Sequence, residues 1–166
     1  VNGTTFYPHI VHRCIDEKLA MFANTDEHYL TEQRYGAVGR FRTMTIVLAS
    51  ELTEESVKDA ILNRRTIAYS GGSLIGEEMW LNEFLNAAVD CRLTKVTEDG
   101  RMFRLTNNSS ITMTLVKNRP YILEPFKSLL ISIGRDKKSG EYQTPTFVVE
   151  NMWHVDYKHP KIELTI

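Results

Sequence analysis

Apolar side chains at Phe6, Tyr7, Ile10, Val11, Cys14, Ile15 and Leu19 recur at helical spacing, with His12, Arg13, Asp16, Glu17 and Lys18 on the other faces. This pattern predicts an amphipathic helix opening near Pro8, because proline suits a first turn whose N–H would have no intrahelical partner. Residues 19–23 are continuously apolar and stop at Asn24-Thr25-Asp26-Glu27-His28, which predicts a buried strand running into a polar loop. Tyr29 to Arg40, with Gly36 and Gly39, reads as a loop crossing the end of a sheet. Thr43 to Ala49 is a second β-prone run. Thr53 is placed to cap the next helix, Glu54 and Glu55 sit where the helix dipole favours anions, and Val57, Ala60 and Ile61 form its buried stripe. That helix ends at Asn63-Arg64-Arg65 and leads to a short strand, Thr66 to Tyr69, before Gly71-Gly72. The order predicts a β-α-β unit over about residues 43–69.

Met79, Trp80, Leu81, Phe84 and Leu85 predict a connecting helix, and beyond Ala88 the chain turns to short β-branched runs with turn punctuation. Strands are expected at Val89 to Val96, Met102 to Leu105, Ile111 to Val116, Leu129 to Ile133, Phe147 to Asn151 and Ile162 to Ile166. Glu98-Asp99-Gly100 and the Asp136 to Glu141 stretch signal hairpins, with glycine expected to supply positive φ. The fold class is therefore α/β plus all-β, with the second part a small β-sandwich.

Composition narrows the function classes. The 166 residues are 42% hydrophobic and 25% charged, an ordinary globular balance. Twenty Lys and Arg against 21 Asp and Glu give a net charge of -1, so no global positive field favours nucleic acid or anionic lipid. No apolar run approaches the ~20 residues of a bilayer-spanning helix, and the start of the chain lacks a secretory pattern; a soluble chain is expected. Cys14 and Cys91 share no C-x-x-C spacing and read as two buried free thiols. A first residue of Val suggests a piece of something longer.

The sharpest chemical feature is the polar cluster after residue 23. Residues two apart on a strand project to the same side, so Asp26 and His28 would offer a carboxylate and an imidazole to a common space, roughly 7 Å apart along the backbone. Both are metal ligands, but zinc takes three or four ligands and harder ions more, so this spacing alone is an incomplete shell. Arg40 and Arg42 follow the loop and are candidates to hold a substrate phosphate through charge-assisted hydrogen bonds. His9 and His12, three apart on the first helix, have no neighbouring carboxylate or thiol to complete a set. His154 and His159 flank Trp153 and Tyr157, a pattern read first as an aromatic strand packed in the sandwich. Gly71-Gly72-Ser73 is no phosphate loop, and no motif supports a nucleophilic serine or cysteine.

Taken together, Val1-Asn2-Gly3, Phe6-Tyr7-Pro8, Cys14-Ile15-Asp16, Asn24-Thr25-Asp26-Glu27-His28, Arg42-Thr43-Met44-Thr45-Ile46-Val47 and Glu54 through Arg65-Thr66-Ile67-Ala68-Tyr69 resemble the final third of a PHP-type phosphoesterase, of the polymerase and histidinol phosphatase superfamily. The resemblance covers roughly residues 1–75, and the tail resembles the β-rich domain that follows the catalytic domain in some two-domain bacterial members. It implies a distorted (β/α)7 barrel, two or three divalent metals (Mn, Zn, Fe or Mg) and hydrolysis of phosphoesters by a metal-activated water. The family's last metal motif is commonly Ser-Asp-x-His. Thr25-Asp26-Glu27-His28 matches it with Thr for Ser, which implies metal ligation by Asp26 and His28, with Asn24, Thr25 or a backbone carbonyl orienting the imidazole. The family's earlier His-x-His is absent from this sequence.

The layout that follows is the C-terminal portion of a PHP-type barrel at 1–75, a connecting helix at 76–88 and a β-sandwich at 89–166. The partners implied are a phosphoester substrate and the N-terminal part of the same protein or a complementing chain, with no nucleic-acid scaffold role and no membrane. The competing class is a non-catalytic binding or scaffold module centred on the β-sandwich.

Overall fold

The computed structural model describes residues 7–36 and 41–166, which divide into two compact units: residues up to Leu81 together with Asn151–Pro160, and Asn82–Glu150 together with Lys161–Ile166.

In the first unit α1 spans Pro8–Asp16 and buries Val11 and Cys14. It ends in a Schellman motif, in which the Lys18 N–H reaches the Ile15 carbonyl and the Leu19 N–H the Cys14 carbonyl, with Lys18 itself at φ 55°. A short helix, α2, covers Thr31–Arg34 inside the stretch read as loop. Strand β1 is Met44–Val47, α3 is Glu54–Leu62 and β2 is Thr66–Ser70. The Thr53 hydroxyl accepts the Ser56 N–H, as its position before the two glutamates predicts. Helix α3 also closes with a Schellman pair, Arg64 to Ile61 and Arg65 to Ala60, and Arg64 takes φ 59°. The two arginines therefore do more than meet a helix dipole. Arg64 pairs with Glu77 at 3.2 Å, while Arg65 pairs with Asp59 and donates to the Leu48 carbonyl at 3.2 Å.

That last clamp bears on topology. The Leu48 N–H also reaches the Arg65 carbonyl, so β2 starts beside the end of β1 and the two strands are antiparallel, Val47 opposite Thr66 and Met44 opposite Tyr69. The strand-helix-strand order expected over 43–69 is present, but it is not a parallel crossover, and the described residues form no closed barrel. A two-residue turn with φ 58° at Gly71 and 90° at Gly72 leads to β3, Ser73–Ile75, also antiparallel to β2. All five residues of β2 are buried, as a strand covered on both faces requires.

Helix α4, Glu78–Ala88, carries the chain from the first unit into the second. There β4 (Val89–Val96), β5 (Gly100–Asn107) and β8 (Ser128–Gly134) make one antiparallel sheet. A second consists of β6 (Met113–Val116), β7 (Pro120–Leu123), β9 (Thr146–Val149) and β11 (Lys161–Glu163), in the order β11-β9-β6-β7. Each expected strand is found, and β7 is an addition: its opening proline masked it, although an edge strand tolerates one. Alternation supplies the core, with Phe103, Leu105, Met113, Leu115, Phe147 and Val149 buried. Asn107, fully buried, donates to the carbonyls of Ile111, Leu123 and Glu124 and accepts from Ser109, so one amide replaces the ladder where β5 ends.

Two expectations are corrected. Gly100 does not supply positive φ; a Cβ there would lie 2.4 Å from the Ile133 carbonyl oxygen, so glycine serves the close approach of β5 to β8, whereas Gly140 does take φ 72°. The β-rich tail is also interrupted, because β10, Met152–Trp153, pairs in parallel with β3 and belongs to the first unit's sheet. Two residues are too few for any periodicity to announce. Replacing Gly100 by Ala should therefore destabilise the chain by about 3 kcal/mol, measured by urea unfolding, with Gly140→Asn, at a site open to solvent, as the mild comparison.

Candidate functional site

The route to Asp26 and His28 begins at Leu19. Residues 19–23 do not form the buried strand expected of them; they run extended across one face of the β1–β2 pair, held by side chains. The Met21 N–H donates to Thr66 Oγ1 at 3.0 Å, the Ala23 N–H donates to Thr45 Oγ1 at 2.9 Å, and the Thr45 hydroxyl donates back to the Ala23 carbonyl at 3.2 Å. Register puts Thr45 opposite Ala68 and Val47 opposite Thr66, so both threonines share a face. Met21 and Ala23 are buried there with Val11, Cys14, Ala68 and Ile75, while Leu19 and Phe22 are exposed. The buried contact of Thr43 Oγ1 with Ser70 Oγ, 3.1 Å, continues the row of hydroxyls.

Beyond Ala23 the backbone folds on its own side chains. The Glu27 N–H donates to Thr25 Oγ1 at 3.2 Å, and Glu27 Oε1 accepts from the His28 and Tyr29 N–H groups at 3.2 and 3.1 Å. Asp26 takes φ 52°, a left-handed conformation aspartate tolerates. The result brings Asp26 Oδ1 to 3.7 Å from His28 Nε2, with 71% and 81% of the two side chains exposed. Turn geometry, not the alternation of a strand, makes them neighbours. Asn24 is exposed, and neither it nor Thr25 hydrogen-bonds the His28 ring; the Thr25 hydroxyl is engaged by Glu27.

As metal ligands the pair supplies one carboxylate and one imidazole, chemistry that suits a borderline divalent ion, and no more. Among the described residues no cluster of three His, Cys, Asp or Glu side chains is placed to hold a metal, so these two donors fit part of a shell and do not complete one. Arg40 lies outside the described residues. Arg42 is exposed on an open hollow with Thr31, Glu32, Phe41 and Met44, and no hydrogen bond or ion pair joins it to Asp26 or His28.

Three of the other four histidines have side-chain partners in the structure. His9 lies edge-on to Tyr7, with ring centroids 6.0 Å apart. His12 Nε2 meets Asp156 Oδ1 at 2.8 Å, tying α1 to a 3-10 turn at Val155–Tyr157. The Asp156 carboxyl is held below the usual carboxylate range by Lys158 and, less, by His12. His159 packs 4.1 Å from the Trp153 ring, and its Nδ1 lies 2.9 Å from the Met152 carbonyl. These aromatics thus belong to the first unit, not to the β-rich one. Both thiols are buried, which raises Cys14 and pushes Cys91 up to about 11. A small apolar depression of about 70 Å³ lies between α1 and residues 21–22, lined by Val11, Cys14, Met21 and Ala68 and rimmed by exposed Tyr7 and Phe22.

These features define a sheet-rich, mixed α/β chain with an acid–imidazole pair on an exposed turn. No protein-family model matches it, and no curated protein matches it. Among solved structures it is similar to a two-domain protein from Bacteroides vulgatus containing a predicted PHP-like metal-dependent phosphoesterase, at 28% sequence identity and a TM-score of 0.83. The match covers 99% of this chain and 51% of that one, so the chain spans about half the length of the structure it resembles.

Because buried hydroxyls position the loop, Thr66→Val should cost about 2 kcal/mol by leaving the Met21 N–H without an acceptor. Thr66→Ser should cost less; equal losses in chemical denaturation would assign the effect to packing.

Proposed function

We propose that the chain is the C-terminal part of a PHP-type metal-dependent phosphoesterase and that Asp26 and His28 are two ligands of its metal centre. The observation that carries this reading is the convergence of carboxylate and imidazole at 3.7 Å on a braced, solvent-facing turn. It is supported by the likeness, over 99% of the chain, to a protein described as containing a predicted PHP-like metal-dependent phosphoesterase. In this reading residues 1–75 are the last β/α units of the barrel, modified by the antiparallel β1–β2 pair, and the two sheets of the second unit pack as a sandwich.

A divalent ion at such a centre supplies water activation and neutralises phosphoryl charge. The chain's own residues hold and orient. Asp26 presents its carboxylate from a left-handed turn, Glu27 fixes the backbone beneath His28, and Arg42, with Arg40, is the candidate phosphate contact. The remaining ligands come from polypeptide outside this chain, the N-terminal part of the same protein or a complementing chain. Two observations support that assignment: the solved relative has about as much chain again beyond the match, and exposed Tyr7 and Phe22 rim an apolar depression suited to a packing partner. The incomplete donor set favours, as a second reading, a non-catalytic module in which the β-rich unit does the binding.

The test is Mn²⁺ binding and hydrolysis of p-nitrophenyl phosphate and bis-p-nitrophenyl phosphate by the native-length protein. Asp26→Asn and His28→Gln should each weaken metal binding by about tenfold or more and abolish hydrolysis. Unchanged metal content and turnover in both variants would overturn the assignment and leave the second reading.

A further inference from the structure

The β4-β5-β8 sheet buries one face through Cys91, Phe103, Leu105, Ile131 and Ile133. Strand alternation puts Asp90, Arg92, Arg104, Thr106, Ser128 and Leu130 on the other, outward face. The register sets them in rows: Asp90 beside Thr106 and Ser128, then Arg92 beside Arg104 and Leu130. Past the bulge between Leu93 and Lys95, the next row is Lys95, Met102 and Ser132. The polar members of the first two rows, with Asn108 at the end, line an open hollow of about 380 Å³.

Arg92 stands directly opposite Arg104, and like charges in that relation repel across a sheet. Asp90 meets one of them: its Oδ2 accepts from Arg92 Nε at 2.7 Å, which orients the Arg92 side chain and leaves its terminal nitrogens without a partner among the described residues. Arg104 is exposed and has no hydrogen bond or ion pair among the described residues. No further carboxylate balances the two. Glu98 and Asp99 sit in the β4–β5 turn, roughly 16 Å or more along the strands from Arg104 and Arg92, beyond the ~8 Å over which exposed charges act in physiological salt. Glu98 stands nearer Lys95, which is left out of the site for that reason. At the opposite end Glu124 is paired with Lys127. Beside the arginines the Thr106 and Ser128 hydroxyls lie 2.8 Å apart, so one donates to the other and the pair keeps one O–H to offer. Leu130, next to Arg104, is 56% exposed.

The chemistry of this face selects its occupant. Planar guanidinium groups match carboxylates through paired N–H donors, and exposed Leu130 offers an aliphatic contact beside them. Both guanidiniums face water, where a single small anion would gain little; an extended chain gains several contacts at once, because its alternate side chains follow the rows of the sheet. The net charge of -1 supplies no field to draw a long polyanion such as nucleic acid.

We propose that the outward face of this sheet docks an acidic segment of a partner protein, with Arg92 and Arg104 taking its carboxylates and Leu130 an aliphatic side chain. The site is independent of Asp26 and His28. The experiment is fluorescence anisotropy of the chain with three labelled probes: a peptide of glutamates around a central leucine, its glutamine counterpart and a duplex oligonucleotide. Saturable binding of the glutamate peptide, weakening with salt, is expected, with none of the glutamine peptide. Arg104→Gln should reduce affinity by about tenfold. Asp90→Asn should raise it about threefold, by removing the competing carboxylate. Lys137→Gln, the same charge change on the exposed Asp136 to Glu141 loop, should leave it unchanged, as should Asp26→Asn. Arg104 and Lys137 are both exposed, so folding is not at stake in that comparison. Absence of saturation, equal losses in Arg104→Gln and Lys137→Gln, or tighter binding of the duplex than of the glutamate peptide would overturn the proposal.

Discussion

Two threonine hydroxyls hold the first unit's chemistry in place. Residues 19–23 cross one sheet face, and there the buried residues Met21 and Ala23 carry backbone amides that are removed from water. Thr66 and Thr45 solve this by accepting the Met21 and Ala23 N–H groups, and a buried amide without an acceptor is among the larger single penalties a fold can incur. Once those two amides are fixed, Met21 and Ala23 complete the packing against Val11, Cys14, Ala68 and Ile75. The polar turn that follows then leaves the sheet at one determined place.

The turn itself shows how little sequence is needed to make a local constellation. Thr25 and Glu27 fasten the backbone on either side of Asp26, whose positive φ swings its carboxylate toward His28. The arrangement faces solvent and leaves both the carboxylate and the imidazole exposed. The second unit shows a different design, a broad open face beside a wall braced by hydrogen bonds to its own backbone.

Much of the fold is legible in the residue pattern, because amphipathic spacing around Val11 and Cys14, the Thr53 cap and the alternating runs from Val89 onward all report local physics. What was hidden is long-range. The antiparallel relation of β1 and β2 depends on Arg65 clasping Leu48, and β10 on a two-residue pairing with β3; neither leaves a periodic trace. Gly100 was visible as a turn residue for the wrong reason, since contact with β8 is not encoded near it. The nearness of Asp26 and His28 was expected from strand spacing, but what brings them together is an aspartate in the left-handed region, which is not a strand property. Thr25 illustrates the same gap, serving the backbone and not the imidazole.

The return of Asn151–Pro160 to the first sheet has an architectural consequence. The polypeptide passes between the units three times, once through α4, once on the way into β10 and once on the way to β11. Neither unit is a contiguous stretch, so a genetic boundary drawn near Ala88 would amputate a strand from one and orphan a strand in the other. The two halves are interlaced in sequence, and recombination or shuffling can transmit them only together.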